Sequence, residues 1–75
     1  MKEIVEVIAR SIVDNPDQVE VSEERGQKSV RIKLSVADED MGKVIGRQGR
    51  IARAIRTVVK AAATKADKKA ILDIE

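Results

Sequence analysis

Two glycines three positions apart, Gly46 and Gly49, enclose Arg47 and Gln48 and are followed at once by Arg50. They sit within Gly42-Lys43-Val44-Ile45-Gly46-Arg47-Gln48-Gly49-Arg50-Ile51, where two aliphatic residues run straight into the first glycine. Without a Cβ, glycine takes positive φ cheaply and lets another molecule pack against the main chain. Gly49 also opens a long helical pattern, and the head of a helix, with its unpaired N–H groups and positive dipole end, favours an anion. Arg47 and Arg50 add full positive charge there. This combination predicts a turn that holds phosphate.

The charge distribution points the same way. From Met41 to Ala66 there are seven basic residues (Lys43, Arg47, Arg50, Arg53, Arg56, Lys60, Lys65) and no acidic one. That segment carries +7 against −5 for the rest, although the whole chain is only +2. A face kept for solubility mixes its signs, whereas a local basic field is the footprint of a nucleic-acid surface.

What the chain lacks excludes other classes. There is no cysteine and no histidine among the 75 residues, which removes disulfides, the usual metal ligands and the commonest general base. Neither G-x-x-x-x-G-K-[S/T] nor G-x-G-x-x-G occurs. The expectation is a protein that is not an enzyme and uses no cofactor or metal. No apolar run approaches the roughly 18 residues of a membrane span, and Met1-Lys2-Glu3 leads directly into an amphipathic pattern unlike a signal peptide. A cytoplasmic protein without membrane partners is expected. The absence of Phe, Tyr and Trp also removes the stacking platform of many single-strand binders. Any bases must be held by aliphatic side chains and hydrogen bonds.

The elements that must position the turn follow from periodicity. A chain of 75 residues predicts one small domain. Ile4, Ile8 and Ile12, with Val5 and Val13, predict a helix from Glu3 to about Asp14 with these residues on its buried face, ended by Asn15-Pro16. Gln18–Glu23 alternates as a half-buried strand, and Glu24–Lys28 reads as a hairpin turn. Ser29–Val36 places Val30, Ile32, Leu34 and Val36 on one face, as a central strand would. Asp38-Glu39-Asp40 is expected to cap a short helix running to Ile45, with Gly46 as its C-cap. From Arg50 to Ala66 a long helix is predicted. Its inner side would hold Ile51, Ala52, Ile55, Val58, Val59, Ala62 and Ala66, with Arg53, Arg56 and Lys60 opposite. Ala54, Val58 and Ala61 at the edge form a candidate dimer ridge. Ala70–Glu75 completes the order as a strand parallel to the second. The sum is an α+β fold, α-β-β-α-α-β, with helices on one face of a three-stranded sheet.

Val44-Ile45-Gly46-Arg47-Gln48-Gly49-Arg50 resembles the I-G-x-x-G loop that lies between two helices in KH domains. The element order resembles the bacterial type II version. Over essentially its whole length, the chain is similar to the small stand-alone bacterial KH-domain RNA-binding proteins (the KhpA family). The resemblance implies a single type II KH domain over residues 1–75 that holds single-stranded RNA in a narrow cleft. The loop of such domains clamps about four nucleotides by their backbone. Here that role would fall to Gly46, Arg47, Gln48 and Gly49, with Lys43, Ile45, Arg50 and Arg53 beside them. The short helix, the start of the long helix and the edge of the central strand would wall the cleft. It also implies an RNA chaperone or regulator linked to cell division and cell shape, working as a homodimer or paired with a second KH protein. A competing reading is a protein-pairing adaptor that dimerises through the 50–66 helix, with RNA binding secondary.

Overall fold

In the computed structural model, which describes residues 1–75, the first helix, α1 (Lys2–Ile12), buries Val5 and Ala9. Its apolar face is rotated from the predicted one. Ile8 and Ile12 are half-buried against the core, but Ile4 is 45% exposed, since each residue turns the helix by about 100°. Val13 is already extended. Pro16 then starts a single 3₁₀ turn, Pro16–Gln18, for which its fixed φ is well suited. This turn takes Gln18 out of the strand, so β1 (Glu20–Arg25) begins two residues later than the alternation suggests. The hairpin is correspondingly tighter, closed by the Gly26 N–H to the Ser29 carbonyl at 2.8 Å.

The second strand, β2 (Ser29–Ser35), is central. It pairs antiparallel with β1, Val21 opposite Leu34, and parallel with β3 (Lys69–Ile74), Ile32 opposite Leu72. Alternation puts Val30, Ile32, Leu34 and Leu72 on the covered face, all buried, while Arg31, Lys33 and Asp73 point to the other. Between β2 and β3 come a second 3₁₀ turn, Asp38–Asp40, then α2 (Met41–Ile45), a third, Arg47–Gly49, and α3 (Arg50–Lys65). Helix α1 packs on β1 and β2, α3 packs on β3, and α2 fits against α1 and α3. The core they enclose is wholly aliphatic. From α3 it takes Ala52, Ile55, Val59 and Ala63. Ala63, absent from the predicted inner side, replaces Val58 and Ala66, which are exposed. No helix is long and apolar enough to cross a membrane.

Candidate nucleic-acid interface

The turn between α2 and α3 is positioned from below by a carboxylate whose role the sequence did not reveal. Asp38-Glu39-Asp40 is expected to supply the cap and acidic first turn of α2, but no side chain caps that helix, Asp40 at its N-cap position included. The Asp40 carboxylate is instead fully buried and faces the segment that follows α1. One oxygen accepts the Asp14 N–H at 3.1 Å; the other accepts the Asn15 N–H and side-chain amide, both at 3.0 Å. The same Asn15 amide donates to Glu39 Oε1 at 2.8 Å. Burial works to raise the Asp40 pKa. The hydrogen bonds from Asn15 and the Asp14 backbone, helped by the Lys43 charge, outweigh it and hold the carboxyl below its ordinary value. Lys43 in turn donates to Asp14 Oδ2, and that bond raises the Lys43 pKa. With Val44 fully buried, α2 is fixed at both its start and its inner face.

Helix α2 stops where Gly46 donates its N–H to the Gly42 carbonyl at 2.8 Å. Gly46 has φ 75° and ψ 173°, a region essentially reserved for glycine. A Cβ there would lie 2.7 Å from Ile51 Cγ1, so the side chain of Ile51, from the first turn of α3, closes over the glycine. Gln48 (φ 57°, ψ 26°) and Gly49 (φ 73°, ψ 17°) follow in the left-handed region. The Gly49 N–H returns to the Gly46 carbonyl at 3.1 Å. A Cβ on Gly49 would meet nothing within 4 Å. The main chain at Gly49 therefore lies open to an approaching molecule, while Gly46 is closed against its own protein.

Arg47, Gln48, Arg50 and Arg53 are exposed, and Ile45 is 39% exposed at the end of α2. The arginines divide cleanly by pairing. Arg10, Arg25 and Arg31 each meet an acid, Glu6 at 2.8 Å, Glu23 at 2.5 Å and Asp73 at 3.9 Å. Arg47, Arg50, Arg53 and Arg56 meet none. Their field is not neutralised by the protein, which leaves it available to an anion.

The sequence profile described as "KhpA/KhpB, KH domain" matches residues 2–74. The chain belongs to this KH family. It is 61% identical over 74 residues to the RNA-binding protein KhpA of Clostridium perfringens, covering 99% of both chains. Identity to the RNA-binding protein KhpA of Caldanaerobacter subterraneus is 62%, and to that of Clostridium acetobutylicum 60%, each over 99% of both chains. No solved structure matches it. The α-β-β-α-α-β order and mixed sheet are those of the type II KH fold, and the Gly46–Gly49 turn occupies the place of the KH glycine loop between two helices.

Two details differ from what the KH resemblance implies. The central strand cannot lend an edge to a cleft, because β2 is hydrogen-bonded on both sides; the free edges belong to β1 and β3. The turn also stands on open surface. The molecule's depressions lie between α1 and β1, at the hairpin and along α1, and none is lined by a turn residue. Lys43 is the one residue of the predicted set whose charge already has an acidic partner. Gly42, outside that set, is exposed on α2 one turn before Gly46, with no atom within 4 Å of a Cβ placed on it. Only its small size signals this in the sequence.

Proposed function

We propose that this chain is a single-stranded RNA-binding protein, of the RNA-chaperone or post-transcriptional-regulator kind, that grips the RNA backbone with Gly46-Arg47-Gln48-Gly49. The observation that carries this reading is the open left-handed backbone at Gln48 and Gly49, with Arg47, Arg50 and Arg53, which no acid neutralises, beside it. That the relatives are named RNA-binding proteins supports it. Arg47, Arg50 and Arg53 would neutralise phosphates, Gln48 would hydrogen-bond sugar or phosphate, and Ile45 would offer an apolar surface to a base. Lys43 would join them on releasing Asp14, an exposed pair that solvent screens and that separates easily. In this reading residues 1–75 work as one non-catalytic KH domain in the cytoplasm, with a part in cell division and cell shape. Pairing, with a second copy or another KH protein, would use Ala54, Val58 and Ala61. All three are exposed, Val58 by 40%, and lie on the flank of α3 away from Arg53, Arg56 and Lys60. Pairing would then leave Arg53, Arg56 and Lys60 free for RNA, with Arg50, one turn before Ala54, at the border of the two surfaces, so the adaptor role is secondary.

The test is the double variant Arg47→Asp, Gln48→Asp. Both side chains are exposed, and aspartate tolerates the left-handed conformation at position 48. Anisotropy titration with a single-stranded RNA should show affinity falling more than about tenfold, a loss above about 1.4 kcal/mol, with the melting temperature unchanged. Undiminished binding by the folded variant would remove the turn from the interface.

A further inference from the structure

The basic field does not stop at the turn. At about 100° per residue, Arg53, Arg56 and Lys60 fall within one sector of α3 roughly 60° wide. All three are exposed and unpaired. From Arg50 to Lys60 the helix rises by about 15 Å, the length of about four phosphates in a stacked strand at about 3.4 Å each. A basic side chain comes every three or four residues along this length, one per helical turn, and no acid interrupts the helix. Every arginine outside the segment has an acidic partner, so this protein does not simply leave its arginines unpaired. The unpaired arginines are confined to one line that begins at the turn, and Lys60 extends it.

Resting on the RNA-binding reading above, we infer that the footprint continues from the turn along this flank of α3, with Arg56 and Lys60 binding phosphates beyond those held at Gly46–Gly49. The turn fixes one end of a short strand, and the helix adds a sequence-independent contact that only a longer strand can reach. The protein therefore selects for unpaired length as well as for the absence of pairing.

Single-stranded oligouridylates of about 4, 8 and 12 nucleotides, titrated by chemical-shift perturbation and anisotropy, test this on the full chain and on the double variant Arg56→Gln, Lys60→Gln. Glutamine keeps the helix propensity. The unaltered protein should gain about tenfold or more in affinity between the shortest and longest oligomer. The variant should bind the shortest equally well and lose that gain. On the longest oligomer its log–log salt slope should be shallower by about 1.4, two contacts at about 0.7 each. A protein whose affinity does not rise with length, or a variant that keeps the full rise, would overturn the track. The variant Arg47→Asp, Gln48→Asp, tested on the shortest oligomer, reports separately on the turn. Its loss of binding sustains the turn however the length series falls, and its retention removes the turn while the length series is still read.

Discussion

At Gly46, φ 75° and ψ 173° put the backbone where only glycine rests comfortably, and Ile51 fills the space a methyl would need. Gly49 is left-handed too, but nothing lies near its missing Cβ. Identical residues in the pattern thus answer to different constraints, the first internal and the second facing solvent. Gly46→Ala should cost about 2–4 kcal/mol, strain and overpacking together. Gly49→Ala should cost about 1–2 kcal/mol from the left-handed backbone alone, and Gly49→Asn less, since asparagine visits that region. Urea unfolding of the three variants checks the ranking; equal losses at 46 and 49 would mean that Ile51 moves aside freely. The sequence could name both glycines because type and spacing are local. It could not tell them apart, because the difference lies in how the first turn of α3 folds back on the end of α2.

Between elements, the connection that sets α2 in place runs through Asp40, whose two oxygens accept only donors from Asp14 and Asn15. Asparagine at 40 would turn an NH₂ toward one of them, so Asp40→Asn should lower the melting temperature by about 5–15 °C. Acid should act on the same bond. The folded carboxyl lies below its ordinary value of about 3.9, so its stabilisation is complete above that value and is lost as pH falls through the depressed one. Glu23 behaves alike. Its bond from Arg25 lowers it against the opposing effect of burial, and it also accepts the Lys2 N–H at the head of α1. Melting curves from about pH 6 to pH 2 should therefore fall on the acid side, less steeply in Asp40→Asn. A parallel fall in both proteins would deny Asp40 its part. Helices and strands were legible because periodicity is written in each segment: β2 shows its buried face outright in Val30, Ile32 and Leu34. The roles of Asp40 and of Glu23 at the head of α1 were not, since the backbone N–H groups they accept from lie more than 20 residues away, and an acid beside a helix start, as Asp40 is, reads as a local cap. The start of β1 moved for a local reason, the Pro16 turn, which alternation alone does not register.

Across the whole molecule, folding turns a partition along the sequence into a partition in space. The acid-free segment becomes α2, the turn and α3, while all the acids belong to α1, the loops and the two outer strands. With no aromatic side chain to stack on a base, binding must draw mainly on phosphate charge, and counterion release then governs affinity. If Arg47, Arg50 and Arg53 each neutralise one phosphate of a short oligomer, log K against log salt should run with a slope of about −2, three contacts at about 0.7 each. The same composition fixes the pH response. Arginine stays protonated throughout the physiological range, and the chain has no histidine to titrate near neutrality, so affinity should be level between about pH 6 and pH 8. Anisotropy titrations over a salt series at two pH values measure both. A slope near zero would show that aliphatic contacts with bases, through Ile45 and its neighbours, dominate over charge, and the unpaired arginines would then need another ligand to explain them.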